Sequence, residues 1–270
     1  MLMYRFSVLL AALFFASSAV AETVSPWQPS TKSAARLIAD EGLRGGVYHA
    51  GVEIRLDPKT ITYWRTPGEA GVPPVFDFSA SVNVAKADVL YPVPKRLSEA
   101  GGVEAFGYVD TVIFPILVTP KDASQPVHLE MELAYAACEK ICVPAQAHAS
   151  LDLRLAGGIS SGAIGQAEAA VPVILAAGAA GFSVKARAPG SKAGWTISVP
   201  GTTLAARDVF VEGLEGWFFD SKPGAAPGEF DIELADAPKG ADLPRIPVTL
   251  TFTGAGRAVE IATALDWIVH

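Results

Sequence analysis

Two stretches of this chain alternate apolar and polar residues with a period of two, a pattern that suits half-buried strands and little else. Tyr48, Ala50, Val52, Ile54 and Leu56 share one face, and His49, Glu53 and Arg55 share the other. Over 127–137, Val127, Leu129, Met131, Leu133 and Tyr135 point one way while His128, Glu130 and Glu132 point the other. Ala149, Leu151, Leu153 and Leu155 repeat the theme, and 111–119 is a β-prone apolar run. Asp57-Pro58-Lys59 turns the first strand into 60–64, which predicts a hairpin. A second series of strands is expected at 194–199, 208–211, 229–234, 247–253 and 258–268. The 25 glycines and 20 prolines are spread throughout and supply the turns that many short strands require.

Between the two series, residues 157–162 (GGISSG) read as a linker and the alanine-rich 163–180 as a short helix. The expectation is therefore an all-β chain. Two antiparallel β-sandwich domains, 22–156 and 181–270, are joined through 157–180.

The first 21 residues read as a secretory signal peptide. Arg5 gives a positive start, 6–15 is almost wholly apolar, and Ala19-Val20-Ala21 is a small-residue cleavage site. Removing Arg5 with the leader shifts the net charge from −7 to −8. An acidic balance without basic clusters argues against nucleic acid and anionic membrane surfaces as partners. The apolar stretch 169–182 is interrupted by Pro172 and Gly178 and is too short to span a bilayer, so no stable membrane insertion is expected.

The chain has two cysteines, Cys138 and Cys142, separated by Glu139-Lys140-Ile141 and followed by Val143-Pro144. In an oxidising compartment they can close a five-residue ring. The chain-entropy model gives so short a ring roughly 2 kcal/mol, less than the ~3 of a fifteen-residue loop. A chain of this length buries a sizeable core and hardly needs it. The pair is better explained by chemistry. Extending the alternation of 127–135 puts Ala137 inward and Cys138 outward, with both sulfurs near the surface where a hairpin turns. Attack on a disulfide sulfur needs that access. Lys140 favours a thiolate electrostatically and Glu139 opposes it.

Residues 133–144 (LAYAACEKICVP), with 62–78 (TYWRTPGEAGVPPVFDF) and 106–115 (FGYVDTVIFP), resemble the N-terminal periplasmic domain of DsbD-type thiol:disulfide interchange proteins. Among these the suppressor of copper sensitivity protein B branch is nearest. The resemblance covers most of 33–155 and, more loosely, the C-terminal half. It implies immunoglobulin-like sandwiches and a periplasmic electron carrier. A membrane-embedded thiol reductase would reduce Cys138 and Cys142, which would then reduce thioredoxin-like partners. Cys142 would form the mixed disulfide and Cys138 would resolve it. The family shields its cysteines with a cap loop, expected here within 91–102, and with aromatics. Tyr63, Tyr135 and Lys140 are the supporting candidates. The acidic-aromatic cap sequence of the better-known branch is absent, with Pro94-Lys95-Arg96-Leu97 in its place. The reading needs no cofactor and assigns no metal ligand.

Three other readings attach to particular residues. Two cysteines with His148 nearby suit Cu(I), which soft thiolates favour, and a copper-binding protein or chaperone is the main alternative. The Sco copper proteins, however, place proline directly after the second cysteine, where this chain has Val143. Gly158-Ile159-Ser160-Ser161-Gly162 matches a nucleophile elbow, but only His270 lies downstream and no parallel α/β pattern surrounds it. The loop 67–74, with three prolines and two glycines, reads equally as a ligand loop or a rigid turn.

Overall fold

A computed structural model describes residues 23–68, 71–99, 102–153, 162–179, 181–187, 194–200, 205–240 and 244–266. The signal peptide, most of the linker including Ser160, and His270 lie outside the described residues.

The first eleven strands are β1 (Gln28–Ser30), β2 (Ser33–Arg44), β3 (Val47–Leu56), β4 (Ile61–Gly68), β5 (Val75–Asp77), β6 (Val84–Val89), β7 (Lys95–Ser98), β8 (Glu104–Val109), β9 (Thr111–Pro120), β10 (Val127–Cys138) and β11 (Cys142–Leu153). They form two sheets, β1-β2-β3-β9-β6 and β11-β10-β4-β8-β7, with β5 added alongside β10. One hydrophobic cluster takes side chains from both, as a sandwich requires. The inward series of β3 and of β10 are buried, so the period-two pattern identified their core faces.

The expected hairpin across Asp57-Pro58-Lys59 does not form. β3 pairs with β2 and β9, whereas β4 pairs with β8 and β10 in the opposite sheet. The turn, with Lys59 at φ 67°, carries the chain from one sheet to the other. Alternation identifies a strand and its buried face, but says nothing of which neighbour it pairs with.

The Ala-rich helix is also shorter than expected. It is confined to α1 (Ala163–Ala169), because Pro172 lacks the amide that a continuing helix would use. Beyond it, β12 (Val173–Leu175) lies parallel to the last strand. The segment read as a connection thus contributes to a sheet, and one ladder departs from the antiparallel pattern. The remaining strands are β13 (Ser183–Ala186), β14 (Gly194–Ser198), β15 (Ala206–Glu212), β16 (Phe218–Pro223), β17 (Glu229–Asp236), β18 (Arg245–Gly254) and β19 (Val259–Asp266). They form the sheets β12-β19-β18-β15 and β13-β14-β17-β16 around a second cluster with Trp195, Phe230 and Phe252 at its centre. Phe210 on β15 instead packs with the first cluster. The chain is all-β with immunoglobulin-like sandwiches.

Candidate functional site

β10 and β11 make a hairpin that stays in register from Val127↔Leu153 to Cys138↔Cys142. The cysteines are its last facing pair before the three-residue turn, with Cα atoms 4.0 Å apart and their sulfurs bonded. A long in-register hairpin brings its last two residues together without help from the bridge, so the geometry agrees with a pair that the fold does not depend on.

The two sulfurs differ in their surroundings. Cys142 is exposed, whereas Cys138 is 3% exposed. The sequence placed Cys138 on the outward face near the surface. It does lie opposite the core, but a second apolar layer covers it. Tyr63, Ala105, Ala136 and Cys138 form a small cluster of their own on that face, with Ile61 against it. The Tyr63 ring is fully buried in this cluster.

Strand β4 delivers Tyr63 to the sulfurs. Its phenolic oxygen lies 3.0 Å from Cys138 Sγ and 3.3 Å from Cys142 Sγ, and donates to Glu99 Oε1 at 2.7 Å. Burial first, then the bond to Glu99 and its charge, raises the Tyr63 hydroxyl well above the ordinary range, so it stays protonated. Two glycines allow the ring its place. A Cβ on Gly71 would lie 2.6 Å from the Tyr63 ring, so the loop after β4 closes over it only as glycine. Gly107 stands opposite Tyr63 across the β4–β8 ladder, where a Cβ would sit 2.0 Å from the Thr62 carbonyl oxygen.

Glu99 belongs to the turn between β7 and β8. Its amide donates to Val103 O and its carbonyl accepts from Gly102, which takes φ 81°. This turn falls within the span expected for a cap. Its contact with the site is a carboxylate acting through Tyr63, the aromatic that the resemblance offered. Sequence reasoning missed Glu99. Thirty-six residues separate it from Tyr63, and a lone acidic residue beside a Gly-Gly turn carries no signal of its partner.

The other candidates do not converge on the sulfurs. Tyr135 faces the core, and its hydroxyl shares a hydrogen bond with Ser33 Oγ at 2.8 Å. Lys140 is exposed on the turn, and its charge acts on Glu139. Glu139 is paired with Lys32, which holds its carboxyl below the usual range and offsets the charge that opposes a thiolate. His148 sits six residues along β11 from Cys142, about 20 Å in an extended strand. It accepts or donates at 3.0 Å to Glu130 and cannot share an ion with the sulfurs. No group of three or more metal-ligating side chains occurs among the described residues.

Residues 32–153 match the family described as "Thiol:disulfide interchange protein DsbD, N-terminal". This stretch is similar to that family. Among solved structures, the N-terminal periplasmic domain of ScsB from Proteus mirabilis is similar over 90% of this chain and 98% of its own, with 20% identity and a TM-score of 0.71. At that identity the likeness is one of fold. It extends past the DsbD-matched stretch into the second pair of sheets and fits the branch that the sequence resembles. The YadV chaperone aligns over 80% of this chain and 92% of its own, but its 13% identity and TM-score of 0.22 carry no argument. No curated protein sequence matches the chain significantly.

Proposed function

We propose that this chain is a periplasmic thiol–disulfide exchange protein that passes electrons from a membrane-embedded thiol reductase to thioredoxin-like partners through Cys138 and Cys142. The observation that carries the reading is the unequal exposure of a bonded pair in a DsbD N-terminal domain. One sulfur is open to a partner, and the other is buried beside it under a protonated tyrosine.

In the reduced protein the Cys142 thiolate attacks one sulfur of the partner's disulfide. A Cys142–partner bond forms, and the partner's other sulfur leaves as a thiolate and takes a proton. The Cys138 thiolate then attacks Cys142 Sγ, closing the Cys138–Cys142 bond and releasing the second partner thiol. Two electrons and two protons pass to the partner, and the membrane reductase restores the dithiol by the reverse chemistry. Exposure favours Cys142 as the attacking sulfur, and burial favours Cys138 as the one that resolves. Residues 1–21 serve as the export leader in this reading, with 22–156 as the redox domain, 157–180 as the connection and 181–270 as the second sandwich. No helix among the described residues is long and apolar enough to cross a membrane.

The test is transfer itself. The pre-reduced, purified chain is mixed with an oxidised thioredoxin-like acceptor, and thiols on each are counted by alkylation. Two thiols should appear on the acceptor for every two lost here. Failure to transfer to any such acceptor, with the dithiol intact, contradicts the reading.

A further inference from the structure

β15 shows alternate residues to the two sandwiches. Val209 and Val211 are buried in the second cluster, while Asp208, Phe210 and Glu212 reach the first sandwich. A period of two puts all three on one face. Asp208 receives a forked bond from Arg96, with Nη2 to Oδ1 at 2.8 Å and Nε to Oδ2 at 3.1 Å. Glu212 receives the same from Arg65, with Nε to Oε1 at 2.7 Å and Nη2 to Oε2 at 2.6 Å. Between them the Phe210 ring meets Trp64 and Phe106 edge-on, at 5.8 and 5.0 Å. Forked arginine–carboxylate pairs fix direction as well as distance.

Each arginine lies beside a group that faces the sulfurs. Arg65 follows Tyr63 by two residues on β4, and Arg96 precedes Glu99 by three on β7. β7 is a four-residue strand at the edge of its sheet and, among the described residues, pairs only with β8. A short edge strand of this kind is readily displaced unless something outside the sheet holds it. Arg96 supplies that hold, since it also donates to Ser221 Oγ at 2.9 Å and to the Val209 carbonyl at 3.2 Å. On its far side the β7–β8 turn lines a cleft of about 290 Å³ opposite Trp217 and Phe219. The turn that carries Glu99 thus faces the second sandwich across this cleft.

We infer that β15 is a clamp by which the second sandwich holds Tyr63 and Glu99 over the sulfurs, with Arg65, Arg96, Asp208 and Glu212 as positioning residues for disulfide exchange. The inference rests on the redox reading of Cys138 and Cys142 and gives the second sandwich a part in it. The β15 variants leave the cysteines, Tyr63 and Glu99 untouched and act on them only through the clamp.

The test uses the full chain carrying Asp208→Asn with Glu212→Gln. Two quantities are read in the folded variant: amide hydrogen exchange at 99–103, and the rate at which dithiothreitol opens the disulfide. Both should rise about tenfold, the scale of a lost charge-assisted bond. Unchanged amide exchange would show that the β15 carboxylates do not hold the turn. Faster amide exchange with an unchanged opening rate would show that the turn does not guard the sulfurs. Either result overturns the inference. If the double variant does not fold, Arg96→Lys keeps the charge, removes the fork and is judged by the same two readouts. Amide exchange needs no redox partner, so the clamp can fail while the redox reading stands, and the reverse.

Discussion

The phenolic oxygen of Tyr63 lies 3.0 Å from Cys138 Sγ while its hydrogen is donated to Glu99. A phenol has one hydrogen to give. With the pair oxidised, the carboxylate is the stronger acceptor. Once a thiolate forms, it competes with Glu99 for that hydrogen. Tyr63→Phe removes the donor and keeps the ring. The thiol pKa that governs alkylation of the reduced pair should rise by about one unit, equivalent to ~1.4 kcal/mol. Alkylation rate against pH measures it, and an unmoved midpoint contradicts the assigned contact.

Glu99→Gln should act in the opposite direction. A nearby negative charge disfavours a second one, so its removal lowers the thiol pKa. The same alkylation profile should move to lower pH, while Tyr63→Phe moves it higher. Shifts of the same sign in both variants would mean that the carboxylate acts by packing and not by charge.

Part of this site was legible in the sequence and part was not. Alternation identified the core faces of β3 and β10, and the short cysteine spacing pointed to the bridge that Cys138 and Cys142 form. Cys138 was placed on the correct face but read as accessible, because alternation describes one strand and cannot see a tyrosine from a neighbouring strand laid over it. The β3–β4 hairpin was misread for a related reason: a turn fixes where the chain bends, not which sheet it joins. Glu99 and the β15 carboxylates were hidden by sequence distance. Asp208 to Glu212 reads as one more alternating strand, and only the fold shows that its polar face meets two arginines 112 and 147 residues away.

Gly107→Ala tests the backbone side of the arrangement. The added Cβ meets the Thr62 carbonyl oxygen at 2.0 Å, so β8 must move away from β4. Forced overpacking of this kind costs about 1–3 kcal/mol. A lowered melting temperature together with faster reduction of the disulfide is expected. A neutral substitution would mean that the two strands do not approach so closely.

The alkaline titration should be cooperative. Tyr48, Tyr63, Tyr91, Tyr108 and Tyr135 all have hydroxyls raised above their ordinary 10.0, chiefly by burial. The folded state then holds protons that the unfolded state releases. Stability from these groups is present below pH 10.0 and is lost as the pH rises further. Tyrosinate absorbance of residues 22–270 should stay low at pH 10.0 and then appear in one step with unfolding. A gradual rise in the folded protein would contradict the burial of these rings.

The central claim is that Cys142 carries out the exchange and Cys138 resolves it, and trapping tests this most directly. Cys138→Ser and Cys142→Ser variants are exported, and periplasmic extracts are run on non-reducing gels. The account predicts covalent complexes with partner proteins for Cys138→Ser, because attack succeeds and resolution cannot, and few or none for Cys142→Ser. Stronger trapping by Cys142→Ser would reverse the assignment. No trapping by either, with Cu(I) held by both sulfurs of the unsubstituted chain, would contradict the account.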